Sequence, residues 1–566
     1  MNRRTITFLL GAVLLGAGCS TSGGFHAWQV DPLVKIFPDD PPGARQAGES
    51  EWLIARNGHA TVQIAVRSDQ EIPELSVELS PPESDGTALQ AGVRWAGYVP
   101  VGSNPPSTPY DEVARDAPAL FPDPLFEEIP FRLTAGRTQP IWITIYCPPG
   151  TAPGLYEGEA AISAAGAVVA RVPYSIRVAA VSVPAEQTLQ VTNWFNLGAG
   201  NLARFYDVEP YSDKYWELLG NIGSVMASHG QNVMLTPISS LIEPRLNGAA
   251  IRYDFSRFDR WVETFERAGL LGTIEGGHLL GRAAGFFSPI RIPAWVIEHG
   301  RVVRLQLPPD DPRAERFLRG FLTSLYAHLK QKGWEGRYLQ HIHDEPHARE
   351  APVYNRYARI VRECLPGVPT IDAVSLDQDT SFFADVCDIW VPVLGSFDHK
   401  LELIADHKAA GGQSWFYTCI FPQGRYLNRF IDYSLLKVRL LHWMNFRYHF
   451  TGFLHWGGNY WGPKPFANVQ SVINVNRTLL PAGDNAIVYP NPKGNSVFSS
   501  IRLEAMRDGI EDYELLHKLA ETNPESAREL VTQLIPHMND YTRDPVEFRR
   551  VRRLLFEALA AEEVTR

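Results

Sequence analysis

Between residues 25 and 185, apolar and polar positions alternate in short stretches, which is the period of a half-buried β-strand. Clear examples are residues 60–66 and 139–146, and residues 158–165 and 171–178 resemble a closing pair of strands. Turns rich in Pro and Gly, such as residues 148–150, separate these stretches. The pattern predicts an antiparallel β-sandwich without a group of side chains typical of catalysis.

From residue 186 the pattern changes, because apolar strand-like runs now alternate with long helical segments. The helical segments include residues 215–229, 255–268, 311–332 and 352–364. The strand-like runs are residues 189–195, 233–237, 271–276, 338–343, 370–373, 389–394, 414–418 and 452–456. Strands that alternate with helices in this way predict a (β/α)₈ TIM-like barrel. A doubly wound open sheet is the alternative.

After residue 480 the chain has a short strand at 486–489 and a long helical tail from about Ile501 to the end. Charged residues crowd the start of this tail, and we expect a solvated, ion-paired helix face. They are Arg502, Glu504, Arg507, Asp508, Glu511 and Asp512. The predicted organisation is a leader and tether at 1–24, the sandwich at 25–185, the catalytic barrel at 186–480, and a C-terminal strand and helical extension at 481–566 that packs on the barrel.

The composition narrows the classes of ligand. A chain of 566 residues exceeds what one core supports, so two or three domains are expected. The formal net charge of -10 gives no support for nucleic acid or an anionic membrane surface as a partner. The 14 Trp fit a neutral polyhydroxylated ligand, because sugars present C–H faces to aromatic rings, although most aromatic residues of a large β-rich protein belong to its core.

The N-terminus is typical of a bacterial export signal. Arginines at positions 3 and 4 precede a short apolar stretch at 6–15, and small residues at 16–18 lead to Cys19. This arrangement predicts lipidation at Cys19, secretion across the inner membrane and a lipid anchor in the periplasm or at the cell surface. A leader that is simply cleaved is the alternative. Residues 20–24 then form a flexible tether.

The other four cysteines, Cys147, Cys364, Cys387 and Cys419, are scattered and lack the spacing of a zinc site. They allow one disulfide or buried free thiols.

The candidate chemistry is concentrated in residues 338–346. This run predicts a buried strand that ends in the adjacent carboxylates of Asp344 and Glu345 and is stopped by Pro346. Acidic side chains at the carboxyl end of a barrel strand are typical of a catalytic face. The alternative is a polar loop in which Asp344 caps the next helix.

A covalent glycosidase mechanism needs a second carboxylate across the sugar, often from the seventh strand. Residues 414–422 contain no Asp or Glu, and the nearest candidate is Asp398 in the loop after the sixth strand. Adjacent carboxylates suit substrate-assisted hydrolysis, in which the 2-acetamido oxygen of an N-acetylhexosamine attacks its own anomeric carbon. Asp344 would orient the amide and stabilise the oxazolinium ion, and Glu345 would act as general acid and base.

The run His341-Ile342-His343-Asp344-Glu345-Pro346 resembles the catalytic motif of glycoside hydrolase family 123, the β-N-acetylgalactosaminidases, and of their broader relatives. Residues 55–58 and 153–158 resemble landmarks of the family's N-terminal sandwich, and residues 483–484, 488–490 and 500–514 resemble its C-terminal signature. The resemblance implies a sandwich followed by a barrel, with Asp344 orienting the acetamido group and Glu345 as acid and base.

Further residues are candidates for binding the substrate. His341 and His343 could tune Glu345 or contact a hydroxyl, or they could be satisfied histidines of the barrel interior. A metal site from His341, His343 and His347 lacks supporting ligand spacing. The remaining candidates follow the third, seventh and eighth strands: His278, Arg282, Trp415, Tyr417, His455, Trp456, Asn459, Tyr460 and Trp461.

The sequence therefore predicts a retaining glycosidase that releases a terminal β-linked N-acetylhexosamine, most simply N-acetylgalactosamine, from an oligosaccharide or glycoconjugate. No metal or organic cofactor is implied. The alternatives are a glycosidase of the same fold with another sugar specificity and a non-catalytic glycan-binding lipoprotein of the cell surface.

Overall fold

The structure of this chain is a computed structural model that describes residues 20–22, 24–48, 51–128, 130–270, 272–285, 288–374, 376, 381–383, 385–473 and 478–564. The predicted leader and the lipidation residue Cys19 lie outside the described residues. The chain divides into two compact units. The N-terminal unit extends to Pro32 and includes Ile36–Trp95 and Glu127–Ala179; the C-terminal unit contains Leu33–Lys35, Ala96–Phe126 and Ala180–Arg566.

The first part of the chain forms twelve antiparallel strands in its described residues. They are β1 (Ser20–Ser22), β2 (Phe25–Val30), β3 (Glu51–Arg56), β4 (Gly58–Ser68), β5 (Ile72–Ser84), β6 (Thr87–Ala88), β7 (Gln90–Val101), β8 (Ala119–Phe126), β9 (Phe131–Leu133), β10 (Thr138–Cys147), β11 (Gly154–Ala164) and β12 (Ala167–Ser182). One sheet has the order β1-β2-β4-β10-β7-β8, and the other has the order β3-β12-β11-β5-β6 with β9 on β5. The sequence predicts a flexible tether at residues 20–24, but Ser20–Ser22 forms a strand that pairs with β2.

The alternating pattern of these strands buries one apolar face of each sheet. Ile64 and Ile141 on neighbouring strands, and Tyr156 and Ile176 on the other sheet, belong to one buried cluster of the N-terminal unit. This β-rich N-terminal region is the one that the sequence predicts.

The C-terminal unit is built around parallel strands. Six of them, β14 (Val233–Thr236), β17 (Thr273–Gly276), β21 (Tyr338–His341), β22 (Thr370–Val374), β23 (Ile389–Pro392) and β24 (Gln413–Ser414), form one sheet in this order. A second sheet has the order β13 (Gln190–Asn193), β26 (Gly452–His455), β25 (Phe416–Thr418). A single bridge joins Val393 to Tyr417. The mixed β and α/β class is confirmed, whereas a closed (β/α)₈ barrel is not.

The predicted seventh strand is interrupted at Trp415. This residue lies between β24 and β25, and its ring packs so closely on Gly452 that a Cβ there would come within 2.2 Å of it. The interruption divides the predicted strand between the two parallel sheets.

Helices surround these strands: α1 (Ala199–Leu202), α2 (Asp213–Ala227), α3 (Ile238–Leu241), α4 (Ser256–Arg267), α5 (Pro312–Lys332), α6 (Ala351–Cys364), α7 (Leu401–Ala409) and α8 (Leu435–Arg447). Helix α5 shows why the boundaries follow the sequence. Asp311 caps its first turn by accepting a hydrogen bond from the N–H of Arg313, and Gly333 ends it in a left-handed conformation. No helix among the described residues combines the length and hydropathy of a membrane span.

Short antiparallel strands are inserted between these elements. They are β15 (Glu243–Asn247) and β16 (Ala250–Asp254), β18 (Gly281–Arg282), β19 (Ile290–Glu298) and β20 (Arg301–Leu307), β27 (Val472–Ile473) and β28 (Thr478–Leu479), and β29 (Tyr489–Asn491) and β30 (Ser496–Phe498). The β18–β20 sheet lies between β17 and α5 along the chain, and its first strand carries Arg282, a residue of the candidate site.

The C-terminal tail is three helices, α9 (Ile501–Thr522), α10 (Pro524–Leu534) and α11 (Pro545–Val564), because Pro524 and Pro545 begin new helices. The prediction of a solvated charged face on α9 is wrong. Arg502, Glu504, Arg507, Asp508, Glu511 and Asp512 are all buried. They pair inside the C-terminal unit; Asp512, for example, accepts from Arg439 and Arg552.

The four described cysteines, Cys147, Cys364, Cys387 and Cys419, are free thiols.

Candidate active site

The two adjacent carboxylates lie just beyond the carboxyl end of β21. The strand ends at His341, and Asp344 and Glu345 follow two buried residues later. Glu345 has a φ of 43°, a left-handed conformation that costs a residue with a side chain on the order of 1–3 kcal/mol. Its carboxylate accepts a hydrogen bond from the hydroxyl of Tyr417 on β25. The turn therefore brings Glu345 to the carboxyl end of a strand in the other parallel sheet.

The carboxyl group of Asp344 keeps its proton to a higher pH than usual. Asp344 is exposed as a whole residue, but protein atoms crowd its carboxyl group. This desolvation and the negative charge of Glu345 raise the pKa of Asp344 to about 7, and the positive charge of His341 opposes the rise.

His341 is fully buried between two carboxylates of neighbouring strands. Its Nε2 lies 2.7 Å from Oε1 of Glu275 on β17, and its Nδ1 lies 3.0 Å from Oδ1 of Asp372 on β22. Burial alone would lower the pKa of His341, but the hydrogen bonds and charges of Asp372 and Glu275 outweigh it and raise the pKa to about 10. The ring is therefore an imidazolium that donates from both nitrogens.

The two carboxylates around His341 also accept hydrogen bonds from other buried groups. The donors are the hydroxyl of Thr192 and the indole of Trp194 for Glu275, and the hydroxyl of Tyr354 and the main-chain N–H of Ile342 for Asp372. Buried charges are stable only when they are paired and hydrogen-bonded. The Glu275–His341–Asp372 network meets both conditions and forms a rigid support close to Asp344.

Arg282 lies on the other side of the pair, on β18. Its Nη1 lies 2.6 Å from Oε1 of Glu350, and its Nη2 donates to the main-chain carbonyls of Asp344, at 3.5 Å, and Glu345, at 3.4 Å. Burial would raise the pKa of Glu350, but hydrogen bonds from Arg282 and from the main-chain N–H of His347 lower it. Arg282 thus contacts the backbone of the pair and a carboxylate that begins α6.

Aromatic residues and a cavity lie near Asp344; Tyr460 lines the cavity, whereas neither Asp344 nor Glu345 is among the described residues that do. The partly exposed rings of Trp456 and Tyr460, after β26, have centroids 5.2 Å apart. Burial and the charge of Asp344 raise the pKa of Tyr460 to about 12. Tyr460 and His278 line a cavity of about 420 Å³, together with Phe195, Tyr211, Tyr215 and Trp261. No Lys, Arg, Asp or Glu in the described ranges lines this cavity, so its walls suit an uncharged ligand with apolar faces.

Other predicted binding residues lie deeper in the unit. Trp415 is only 1% exposed and belongs to a hydrophobic cluster between the strands. The Nδ1 of His455 accepts from Arg429 at 2.7 Å. Asn459 is buried and holds the loop after β13 through main-chain hydrogen bonds, and the indole of Trp461 donates to a main-chain carbonyl 2.7 Å away. The structure therefore brings together Asp344, Glu345, Tyr417, Trp456 and Tyr460. The other four predicted residues are buried in the interior of the unit: Trp415, His455, Asn459 and Trp461.

Two further histidines flank the imidazolium. The ring centroid of His278 lies 4.5 Å from that of His341, and burial together with the charge of His341 holds the pKa of His278 well below its usual range. His343 is 1% exposed, and its Nδ1 lies 3.4 Å from the carbonyl of Leu280. Burial and the charge of Arg282 lower the pKa of His343. Both rings are therefore neutral near pH 7.

Three of these side chains are close enough together to be considered as metal ligands. His278, His341 and Asp372 offer ligand atoms within 4.8 Å of one another. However, the two nitrogens of His341 lie 2.7 Å from Glu275 and 3.0 Å from Asp372, and these hydrogen-bond distances leave no room for an ion between the ring and either carboxylate. The trio of His341, His343 and His347, for which the sequence has no supporting ligand spacing, forms no such group among the residues that the structure describes.

Asp398, the candidate second carboxylate, contacts a different part of the unit. Its Oδ1 lies 3.6 Å from Nδ1 of His537. Burial and the negative charge of Asp398 raise the pKa of Tyr426.

Sequence reasoning missed Glu275, Asp372, Glu350, Arg429 and Asp484. An acidic residue inside a predicted buried strand could have indicated Glu275 and Asp372. Asp484 is fully buried, 3.4 Å from Nε2 of His455. Burial raises the pKa of Asp484 to about 7, against the charge of Arg429. No local signal marks Glu350 or Arg429, because their partners are distant in sequence.

A carboxylate pair beside an aromatic-lined cavity, at the carboxyl ends of parallel strands, is the arrangement of a glycosidase. The chain belongs to glycoside hydrolase family 123. The model of the family's catalytic domain matches residues 194–519, and that of its N-terminal domain matches residues 45–164. This membership indicates a glycosidase and suggests a glycan as substrate.

Similar structures agree with the family. A family 123 glycoside hydrolase from Clostridium perfringens, described in terms of glycolipid glycan hydrolysis, is 17% identical with a TM-score of 0.76, over 96% of this chain and 99% of that chain. A family 39 glycoside hydrolase from Bacteroides cellulosilyticus WH2 is 10% identical with a TM-score of 0.35, over 82% of each chain, and this score supports no conclusion about fold. A search of curated proteins gave no match.

Proposed function

We propose that this protein is a retaining glycosidase that releases a terminal β-linked N-acetylhexosamine, most simply N-acetylgalactosamine, from an oligosaccharide or glycoconjugate. The observation that carries the proposal is the adjacent pair Asp344 and Glu345 just beyond the carboxyl end of β21, in which the Glu345 carboxylate accepts a hydrogen bond from Tyr417. The proposal assigns Asp398, which lies 3.6 Å from His537, no part in the reaction.

In the proposed mechanism the substrate supplies its own nucleophile. The 2-acetamido oxygen attacks the anomeric carbon while Glu345 donates a proton to the departing glycosidic oxygen. Asp344 accepts a hydrogen bond from the acetamido N–H and stabilises the positive charge of the oxazolinium ion. Glu345 then removes a proton from water, which attacks the anomeric carbon and regenerates the acetamide with overall retention.

The surroundings of the pair support a neutral sugar as ligand. Tyr460 lies near Asp344 and next to Trp456, and it lines a cavity of about 420 Å³ whose described lining residues include no Lys, Arg, Asp or Glu. Aromatic faces stack on the C–H faces of sugars, whereas a sulfated or acidic sugar would find no cation there. Tyr417 holds Glu345 toward the ligand.

A panel of aryl β-glycosides with and without a 2-acetamido group tests the proposal. Turnover is expected only for the 2-acetamido sugars, and a cyclic thiazoline that imitates the oxazolinium ion should inhibit. Cleavage of a plain galactoside or glucoside without cleavage of any 2-acetamido sugar would show that the mechanism is wrong. Glycan binding without turnover would favour a binding protein.

Three variants assign the roles. Glu345→Gln should reduce kcat by about 10²–10⁴-fold for substrates with poor leaving groups. Asp344→Asn should reduce kcat by about 10²–10³-fold through weaker stabilisation of the oxazolinium ion. Asp398→Asn is the matched control, and its activity should equal that of the wild type. If Asp398→Asn abolishes turnover, a covalent carboxylate nucleophile replaces the proposed mechanism.

Two further expectations remain proposals. We propose that the two parallel sheets are parts of one (β/α)₈ barrel, since the bridge between Val393 and Tyr417 joins neighbouring strands of both. We also propose that Cys19 carries a lipid, which metabolic labelling with a fatty acid should reveal and a Cys19→Ala variant should lose.

A further inference from the structure

We propose that Arg282 and Glu350 form a clamp that holds the Asp344–Glu345 segment in its productive conformation, so that both are positioning residues for the general acid. The inference rests on the proposed function, because it assumes that Glu345 donates the proton. It also assigns Arg282, a predicted sugar ligand, to a different task.

The clamp contacts the backbone of both members of the pair. Nη2 of Arg282 donates to the carbonyl oxygens of Asp344 and Glu345, at 3.5 and 3.4 Å. Nη2 has two hydrogens and three acceptors, because it also donates to Glu350, so the two successive carbonyls accept long, shared hydrogen bonds that restrain the segment at the residue whose φ is 43°. Tyr417 fixes the other end of the same residue through its carboxylate.

Glu350 fixes the clamp in turn. Its two carboxylate oxygens accept from Nη1 and Nη2 of Arg282, at 2.6 and 3.2 Å, in a bidentate ion pair. One of them also accepts from the main-chain N–H of His347, at 2.9 Å. The side chains of Arg282 and Glu350 are only 9% and 11% exposed. Arg282 and Glu350 thus have their hydrogen-bonding groups engaged by the protein. This arrangement is expected of residues that position others rather than of residues that bind a sugar directly.

The loop that carries Arg282 is itself attached to the end of β21. The N–H of Leu280 donates to the carbonyl of Ile342 at 2.9 Å, and the pairing of β18 with β19 fixes Arg282 opposite Ile290. The inserted β18–β20 sheet therefore bears directly on the position of Glu345. This relation gives the insertion a role in catalysis without any contact with the reacting atoms.

Leaving groups separate a positioning role from a purely structural one. A displaced general acid harms substrates that need protonation, such as phenyl glycosides, and spares activated ones, such as dinitrophenyl glycosides. We expect Arg282→Lys and Glu350→Gln to reduce kcat for the phenyl 2-acetamido glycoside by about 10- to 100-fold. The loss for the dinitrophenyl glycoside should be at least fivefold smaller, with KM unchanged within about twofold.

Arg356→Lys is the matched control. Arg356 pairs with Glu315 at 2.6 Å and donates to the carbonyl of Pro309, but it lies on the solvent side of α6. Its kinetics should equal those of the wild type. Melting temperatures of all variants show whether they are folded, and Glu350→Gln tests the clamp if Arg282→Lys does not fold.

Three outcomes would overturn the clamp: unchanged kinetics in both variants, an equal loss for both leaving groups, or a raised KM with unchanged kcat. The last would make Arg282 a substrate ligand. Glu345→Gln, measured beside them, separates the two proposals. If it shows the leaving-group dependence and the clamp variants do not, only the clamp fails. If Glu345→Gln shows no such dependence, the proposed function fails, and the clamp fails with it.

Discussion

Replacement of both His341 and Glu275 by glutamine should remove a pH-dependent part of the stability of the C-terminal unit. The two side chains carry opposite charges and form a 2.7 Å hydrogen bond in a fully buried site. Removing both leaves the net charge of the network unchanged. Asp372 keeps its hydrogen bonds from Tyr354 and the main-chain N–H of Ile342. Asp372 nevertheless loses its cationic partner, so the double variant should also be less stable than the wild type at every pH, by up to about 3–5 kcal/mol, and only the pH dependence of the difference reports on His341.

The magnitude follows from the pKa of His341. The network raises it from 6.5 to about 10, and at about 1.4 kcal/mol per pKa unit this rise corresponds to an upper limit of about 5 kcal/mol of folding free energy. A raised pKa in the folded state means that folding favours the protonated ring. The stabilisation is therefore complete below about pH 6.5 and is lost as the pH rises through about 10.

Urea unfolding of the wild type and the double variant between about pH 6 and pH 10 measures this effect. Buried Lys35 and Lys437 and partly buried Lys408 have a pKa lowered to about 8 and contribute with the opposite sign, because their burial costs less once they lose their charge. They are present in both proteins and cancel in the difference between the two curves, which then reports His341 together with Asp344 and His278, whose pKa values its charge shifts. The stability advantage of the wild type over the variant should shrink by several kcal/mol across this range.

Parallel stability curves of the two proteins would refute the reasoning, because a neutral His341 contributes no such pH dependence. The single variant Glu275→Gln gives an independent check. It leaves His341 with Asp372 as its one acidic partner, so the alkaline loss of stability should begin at a lower pH than in the wild type.

Two other changes have clear expected outcomes. Tyr417→Phe removes the hydrogen bond to the Glu345 carboxylate and should lower kcat roughly tenfold or more, as expected for a bond to a charged group; an unchanged kcat would contradict a role for this contact. Asp123→Asn breaks a fully buried bidentate pair with Arg502 and should destabilise the C-terminal unit by about 3–5 kcal/mol. In calorimetry, Asp213→Asn, in an exposed pair, should shift the melting temperature little by comparison.

Local patterns predicted the position of the candidate pair. The apolar run before Asp344 and the proline after Glu345 indicated a strand that ends in acidic residues, and the strand is Tyr338–His341. The pattern did not show that the strand stops before His343. As a consequence, His341, His343 and Glu345 do not alternate along one strand, and Glu345 reaches Tyr417 through a left-handed turn.

The partners of these residues could not be predicted, because they depend on strand register. Glu275 and Asp372 lie 66 and 31 residues from His341 along the chain. Parallel strands are joined by long connections, and their alignment leaves no short-range trace in the sequence. The same holds for Arg282 and Glu350, which are 68 residues apart.

The charges of α9 were misjudged for a related reason. An alternation of acidic and basic residues on a helix is usual for a solvated surface. Here the partners of Asp512 are Arg439 on α8 and Arg552 on α11, so the charges are neutralised by other helices inside the unit. Charge pattern alone does not distinguish these two environments.

The buried charges of α9 also have a practical consequence for dividing the protein. Glu514 accepts hydrogen bonds from the main-chain N–H groups of Thr188 and Leu189, directly before the first parallel strand, and Arg502 pairs with Asp123. A shortened protein that stops near residue 480 would leave Asp123 and Arg439 without their counterions and would uncover the face of α8 that packs on α9. We therefore expect such a fragment to be insoluble, and any expression of the catalytic region by itself should extend through α11.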